Sequence, residues 1–258
     1  MLNRRDLTDR VLEQSAASER KRMLPDLVVM KLGGQSIMDR GAPVVLPLID
    51  VIARAASKVP LLICTGGGTR ARHAYQLGLD LGLPTGVLST LASSVAKQNA
   101  RMVQMLLADR GGVYVAGELL EQLPAYVDAG QIPIMAGMPP FEYWTLPPAA
   151  GRIPEARTDT GTFLLAEVLG ASRLIFVKDE DGLYSADPKK NPDAEFLGDI
   201  GLQRLLEMDL DDLIVERCML QAMAGAHFVR EITIVNGFRP TEVAAAIEGG
   251  STGSRIFC

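Results

Sequence analysis

Lys31 closes the apolar run Leu27-Val28-Val29-Met30 and stands two residues before the paired glycines Gly33-Gly34, with Gln35 and Ser36 behind them. A second apolar run, Pro60 to Cys64, leads through Thr65 into Gly66-Gly67-Gly68-Thr69. Glycine turns of this kind bare backbone N–H groups, and a following helix adds the positive end of its dipole, which suits phosphate oxygens. Two such turns at the carboxyl ends of successive parallel strands would let two anionic groups face each other, with the Lys31 ammonium bridging phosphates during transfer. Arg70 and Arg72 follow one turn into the second helix, with His73 beside them. Spaced two apart, the arginines do not share a helix face, so only one is expected to reach an anion on the turn.

Lys178-Asp179-Glu180-Asp181-Gly182-Leu183-Tyr184-Ser185-Ala186-Asp187-Pro188 follows a further apolar run. Asp-Gly and Asp-Pro are turn dipeptides in their own right, but a turn does not require the lysine, the acids and the tyrosine together. Glu216, next to the apolar Leu213-Ile214-Val215, is the most isolated carboxylate of the late chain. It is open to three readings: a buried acid, a magnesium ligand, or an outward-facing side chain. Gly66 to Ala71 also satisfies the GxGxxG/A dinucleotide fingerprint, yet it does not belong to the first strand unit, and no strand ending in an acid follows about 20 residues later. A Walker A sequence is absent.

The elements that must position these residues alternate. Val44 to Ala56 and Arg70 to Leu81 have helical spacing behind the first two strands, and Ser93 to Arg110 reads as a longer helix. Val113 to Val115 and Ile132 to Met135 add strands. Thr162 to Leu169 reads as helix, Arg173 to Val177 as strand, and Asp179 to Phe196 as a turn-rich connection. Val215 to Ala224, Ile232 to Val235 and Thr241 to Glu248 close the chain as helix, strand and helix. Gly137 to Arg157 differs, with five prolines beside Phe141, Tyr143 and Trp144, which excludes a regular helix or central strand. A loop of that length points to a lid or an interface element. The expectation is an α/β protein: an N-terminal helical extension over 1–26, then one domain over 27–258 with an inserted loop at about 137–157.

Composition bounds the function. A net charge of −5 argues against a surface dominated by nucleic acid or anionic membrane, while leaving room for a local phosphate pocket. No run approaches the roughly 20 apolar residues of a membrane span, and the charged first 22 residues lack the apolar core of a secretory signal, so a cytoplasmic protein is expected. Cys64, Cys218 and Cys258 are far apart and form no CxxC pair, and His73 and His227 lie far apart, which indicates neither a disulfide framework nor a cysteine or histidine metal site.

Taken together, Lys31-Leu-Gly-Gly, the triple glycine with Arg72 beyond it, Thr158-Asp159-Thr160 and the Lys178-to-Pro188 segment resemble the amino-acid-kinase superfamily in its uridylate-kinase branch, from about residue 27 to the end. The resemblance implies a three-layer α/β/α sandwich around a mainly parallel sheet. It implies ATP phosphates on Lys31, Gly33, Gly34 and Gln35, and the adenosine against Lys178, Asp179, Asp181, Gly182, Tyr184, Asp187 and Pro188. Gly66, Gly67, Gly68 and Arg72 correspond to the turn and arginine that hold the acceptor phosphate. Lys31, Asp159 and Glu216 are then the catalytic candidates, with Glu216 the candidate magnesium ligand.

Two departures separate the chain from uridylate kinases. Leu88-Ser89 replaces the Gly-Asp pair whose acid contacts the nucleoside, and the Gly137-to-Arg157 loop is inserted where those enzymes pass almost directly to the Thr-Asp motif. Both departures are similar to the molybdenum-storage family, in its beta-type subunits, as are Leu32-Gly33-Gly34-Gln35-Ser36, Asp39-Arg40-Gly41, Thr69 to His73 and Gly137-Met138-Pro139-Pro140 with Trp144 after them. That likeness implies ATP-driven storage of molybdate or tungstate as polynuclear oxometalate clusters inside a hexamer, either of identical chains or with an alpha-type subunit. Phe141-Glu142-Tyr143-Trp144 stands where alpha-type subunits carry a histidine cluster, so those metal ligands are not carried over. The alternative is a nucleoside-monophosphate or small-molecule kinase.

Overall fold

Val28–Leu32 forms β1 and is buried throughout, as are Leu61–Thr65 (β2) and most of Arg173–Lys178 (β5). Strands this apolar belong to a parallel sheet covered on both faces. In the computed structural model, which describes residues 19–258, β1 pairs in parallel with β2 and with β5. The described part of the expected N-terminal extension, 19–26, is irregular; residues 1–18 lie outside the described residues. Gly112–Tyr114 (β3), Ile132–Ala136 (β4), Ile200–Gly201 (β6), Glu231–Asn236 (β7) and Ser254–Phe257 (β8) complete one sheet of order β3-β4-β2-β1-β5-β7-β8-β6. Among the named strands of the described residues, only β7 and β8 pair antiparallel.

Period-two alternation sends each strand's residues to two cores. Val28, Met30 and Leu32 pack against Ala42–Ala56 (α1), Thr85–Leu106 (α3) and Pro240–Glu248 (α8) through Ile49, Ile52, Val103 and Ile247. Val29, Leu62, Cys64 and Phe176 face the other way, against Phe163 and Ala166 of Thr158–Leu169 (α5) and Met219 and Met223 of Arg217–Met223 (α7). Each fully buried side chain of this size contributes about 1.5–3 kcal/mol. The architecture is therefore the three-layer α/β/α sandwich expected from the sequence.

The structure corrects several boundaries. The long helix begins at Thr85, eight residues before the expected Ser93, because Leu88 and Ala92 pack on Ala71 and Tyr75 of Gly68–Asp80 (α2). Pro84, Gly86 and Thr90 are poor helix formers and give that start little local signal. Helix α5 begins at Thr158 rather than Thr162, which places Asp159 in its first turn. Short helices Leu123–Asp128 (α4) and Leu202–Glu207 (α6), and the last strand β8, were not expected. Residues 137–157 contain only the 3-10 turn Glu142–Trp144, in keeping with their proline content. Among the described residues no helix is long and apolar enough to cross a membrane.

Candidate functional site

Lys31 lies on the Val29 face of β1, and Lys178, one residue beyond the partner of Leu32, lies on the matching face of β5. Helix α5 covers that face, and its first turn sets Asp159 between the two ammonium groups. Lys31 donates a short hydrogen bond to Asp159 Oδ1, and Lys178 Nζ lies 3.1 and 3.0 Å from the two carboxylate oxygens. All three side chains are buried. Burial alone would push the Asp159 carboxyl up, but the charges of Lys178 and Lys31 outweigh it and hold it well below the usual carboxylate range. Burial pulls Lys178 below the usual lysine range in spite of Asp159, and Lys31 adds like-charge repulsion. Two cations and one anion leave one buried positive charge that an anionic ligand would compensate.

The two glycine turns are in backbone contact beside this cluster. A Cβ added to Gly34 would lie 2.1 Å from the Gly68 nitrogen, and Gly68, at φ +72, occupies the left-handed region. No side chain other than hydrogen fits between the turns. Asp39 ties them together: its backbone N–H donates to the Gly34 carbonyl at 2.9 Å, and its carboxylate accepts from the Thr69 N–H at 2.6 Å. Asn99, fully buried on α3, donates to the Gly66 carbonyl at 2.6 Å and accepts from Arg70. Arg70 also reaches Gln98 at 2.9 Å, so it is turned to α3 while Arg72 lines the cleft. Of the two arginines, Arg72 is therefore the one available to an anion in the cleft.

A cleft of about 560 Å³ runs over both turns. Its lining includes Lys31, Gly33, Gly34, Gln35, Gly66, Gly67, Gly68, Arg72, Asp159 and Glu216, together with Lys178, Asp179, Gly182, Tyr184, Asp187 and Pro188. Asp179 is held below the usual carboxylate range, since Lys189 at 2.7 Å and Arg40 at 2.8 Å overcome the effect of its partial burial. Asp181 does not join the lining. It accepts from Asn236 Nδ2 and Arg239 Nη2, each at 2.7 Å, and so fastens the turn to β7. Arg157, Tyr75 and Lys189 line the cleft without having been proposed as site residues from the sequence, as does Arg40, which entered only as part of the Asp39-Arg40-Gly41 likeness. The position of Arg157 directly before Thr158-Asp159-Thr160 was the available signal for it.

Glu216 has a defined occupation. Its Oε2 accepts from the N–H groups of Arg157 at 2.9 Å and Thr160 at 3.0 Å and from the Thr160 hydroxyl at 2.6 Å, while Oε1 accepts from the Asp159 N–H at 3.1 Å. It thereby caps the start of α5, where a carboxylate also meets the positive end of the helix dipole, and fixes the backbone that carries Asp159. Glu216→Gln removes an acceptor and turns an amide toward these donors, so a stability loss of about 1–3 kcal/mol is expected in chemical denaturation. An unchanged midpoint would show that the cap is not needed. Among the described residues no group of three or more His, Cys, Asp or Glu is placed to hold a metal ion.

The inserted loop packs on α3. Glu142 accepts from Ser93 Oγ at 2.6 Å and Lys97 Nζ at 2.7 Å, and Thr145 Oγ1 lies 3.3 Å from Ser89 Oγ. The Tyr143 carbonyl approaches so closely that a Cβ on Gly86 would meet it at 2.3 Å. Ser89 is 1% exposed as a result.

A model of the amino acid kinase family matches residues 26–236. The chain is 46% identical over 257 residues, 99% of its length and 95% of the relative's, to the molybdenum storage protein subunit beta of Azotobacter vinelandii. It is 29% identical over 209 residues to the uridylate kinase of Methanospirillum hungatei, covering 81% of this chain and 79% of the other. Among solved structures, the uridylate kinase from Archaeoglobus fulgidus superimposes with a TM-score of 0.68 at 21% identity, over 89% of this chain and 99% of that one, a likeness of fold. With the paired glycine turns and the Lys31–Asp159–Lys178 cluster in place, the chain belongs to the amino acid kinase family, nearer in sequence to the molybdenum storage subunit than to these uridylate kinases.

Proposed function

We propose that this chain binds ATP in the cleft and stores molybdate or the related tungstate as polynuclear oxometalate clusters within a hexamer, with ATP hydrolysis driving the loading. The single observation that carries the reading is the packing of Glu142, Tyr143 and Thr145 on α3 around Ser89, the position at which the resemblance to uridylate kinases implies the nucleoside-contacting acid. The residues fit the nucleotide. The two glycine turns meet with no side chain between them, and their backbones line the cleft together with Lys31 and Lys178. The similarity to a molybdenum storage subunit supplies the cargo.

In this reading Lys31 and Lys178 neutralise the charge of the transferring phosphoryl group, the glycine N–H groups orient it, and the Asp179-to-Pro188 segment holds the adenosine. Magnesium would supply further charge neutralisation; Glu216 and Asp159 are the carboxylates that would hold it, and either would first have to give up the backbone N–H or lysine partners its oxygens now have. The hexamer contains either this chain alone or an alpha-type subunit as well. Metal analysis of protein from molybdate-grown cells, with ATP supplied, is expected to find molybdenum or tungsten well above one atom per chain. Its absence, with rapid phosphorylation of UMP instead, would establish the nucleoside-monophosphate kinase alternative.

A further inference from the structure

The 3-10 turn Met38–Arg40 follows the first glycine turn and is seated on the fully buried Ile37, while Gly41, at φ +67, ends it and opens α1. Such a turn has three residues per revolution, so neighbouring side chains leave it about 120° apart. Asp39 reaches the second glycine turn: its carboxylate accepts from the Thr69 N–H at 2.6 Å and lies so close to Gly68 that a Cβ there would stand 2.6 Å from Oδ2. Arg40 reaches the Asp179 segment, where Nη2 donates to Asp179 Oδ2 at 2.8 Å, and its guanidinium lies 6.0 Å from the centre of the Phe238 ring. The other cation on Asp179, Lys189, comes from the same segment 10 residues on, so Arg40 is the one that ties the segment to the first glycine turn. Both Asp39 and Arg40 are exposed, and core packing does not account for where they point. Arg40 lines the cleft, and Asp39 stands outside that lining.

We infer that Asp39 and Arg40 are positioning residues for phosphoryl transfer, the two arms of one clasp that holds the second glycine turn and the Asp179 segment in register with the first glycine turn. This rests on the ATP reading above and adds how the parts of the cleft are kept in step. The glycine turns meet with no side chain between them, so their spacing depends on the hydrogen bonds that cross them. Asn99 holds the Gly66 end of the second turn, and Asp39 alone joins the Gly34 carbonyl to the Thr69 N–H. A carboxylate on a backbone N–H is a charge-assisted bond, shorter and stronger than a neutral one. Phosphoryl transfer is sensitive to the distance so fixed, since a misplacement of about 1 Å can cost about 10²-fold in rate. Both arms spring from one three-residue turn, so loss of either lets that turn shift and slackens the other. A simple cap on α2 would account for Asp39 and leave Arg40 unconnected to it.

The test is steady-state ATP hydrolysis by the full-length protein and by its Asp39→Ala, Arg40→Ala and double variants, with binding of a non-hydrolysable ATP analogue to report that each is folded. Each single variant should lower kcat about tenfold or more. The double variant should lose no more than the worse single one, because residues that act as a unit are not additive. Asp39→Asn should recover part of the loss, since its amide oxygen still accepts from Thr69, and it takes the place of Asp39→Ala should that variant fail to bind the analogue. Losses that multiply in the double variant would mean two independent contacts and overturn the clasp. So would wild-type kcat in either single variant, even with a lowered melting temperature, which is the mark of a plain helix cap. Both results leave the ATP reading standing. Wild-type protein that binds no analogue, or binds it without hydrolysing ATP, overturns that reading and the clasp with it.

Discussion

Lys31→Ala is expected to lower ATP turnover by about 10²–10³-fold, the loss typical of removing one group that stabilises charge developing in a transition state. The same substitution should leave the protein folded and at least as stable. Asp159 keeps its second partner, since Lys178 Nζ remains within 3.1 Å of both carboxylate oxygens. The buried cluster passes from one excess positive charge to neutrality, so the repulsion between Lys31 and Lys178 disappears with the side chain. A rate measured by phosphate release and a stability measured by thermal melting should therefore move independently. Wild-type turnover in the variant would remove Lys31 from the chemistry. A collapse of stability alongside the rate would mean that Lys31 serves the fold.

Much of this arrangement could be read from local pattern. Apolar runs ending in glycine turns identify the carboxyl edge of a parallel sheet, and five prolines in 137–157 forbid regular structure there. What local pattern does not carry is the identity of distant neighbours. Lys31 and Asp159 are 128 residues apart, and their meeting depends on β5 lying beside β1 and on α5 covering that face. Lys178 read as part of an adenosine-binding turn, yet it is also the second cation of the cluster.

Acids show the same limit. Asp181 sits in the expected turn, but its partners Asn236 and Arg239 come from the neighbouring strand β7 and the turn after it, 55 and 58 residues later in the chain, and they hold it out of the cleft lining. Glu216 was open to three readings because a carboxylate beside an apolar run gives no sign of whose N–H groups it will meet. Strand β8, Ser254–Phe257, is short and flanked by glycine and serine, and its pairing with β7 comes from tertiary contact. The start of α3 at Thr85 was hidden for a similar reason, since packing against α2 overrides weak local propensity there.

Asp159→Asn should have the opposite signature to Lys31→Ala. Removing the carboxylate leaves two ammonium groups buried side by side with only the more distant Glu216 as counter-charge, a change that costs about 3–5 kcal/mol when one partner of a buried pair is lost. Nucleotide phosphates would restore the missing negative charge, so a non-hydrolysable ATP analogue should raise the melting temperature of the variant more than that of the wild type. The pH dependence has a fixed sign. A carboxyl whose folded pKa is depressed contributes stability that is complete above its unfolded value, about 3.9, and is lost as pH falls toward the folded one. The gap between wild type and variant should accordingly be full at neutral and mildly acidic pH and should narrow only below the usual carboxylate range. Equal melting temperatures without nucleotide would show that Asp159 does not hold the lysine pair. A nucleotide-induced shift no larger than that of the wild type would show that the buried positive charge is not directed at the phosphates, and would leave the paired glycine turns as the whole of the anion-binding machinery.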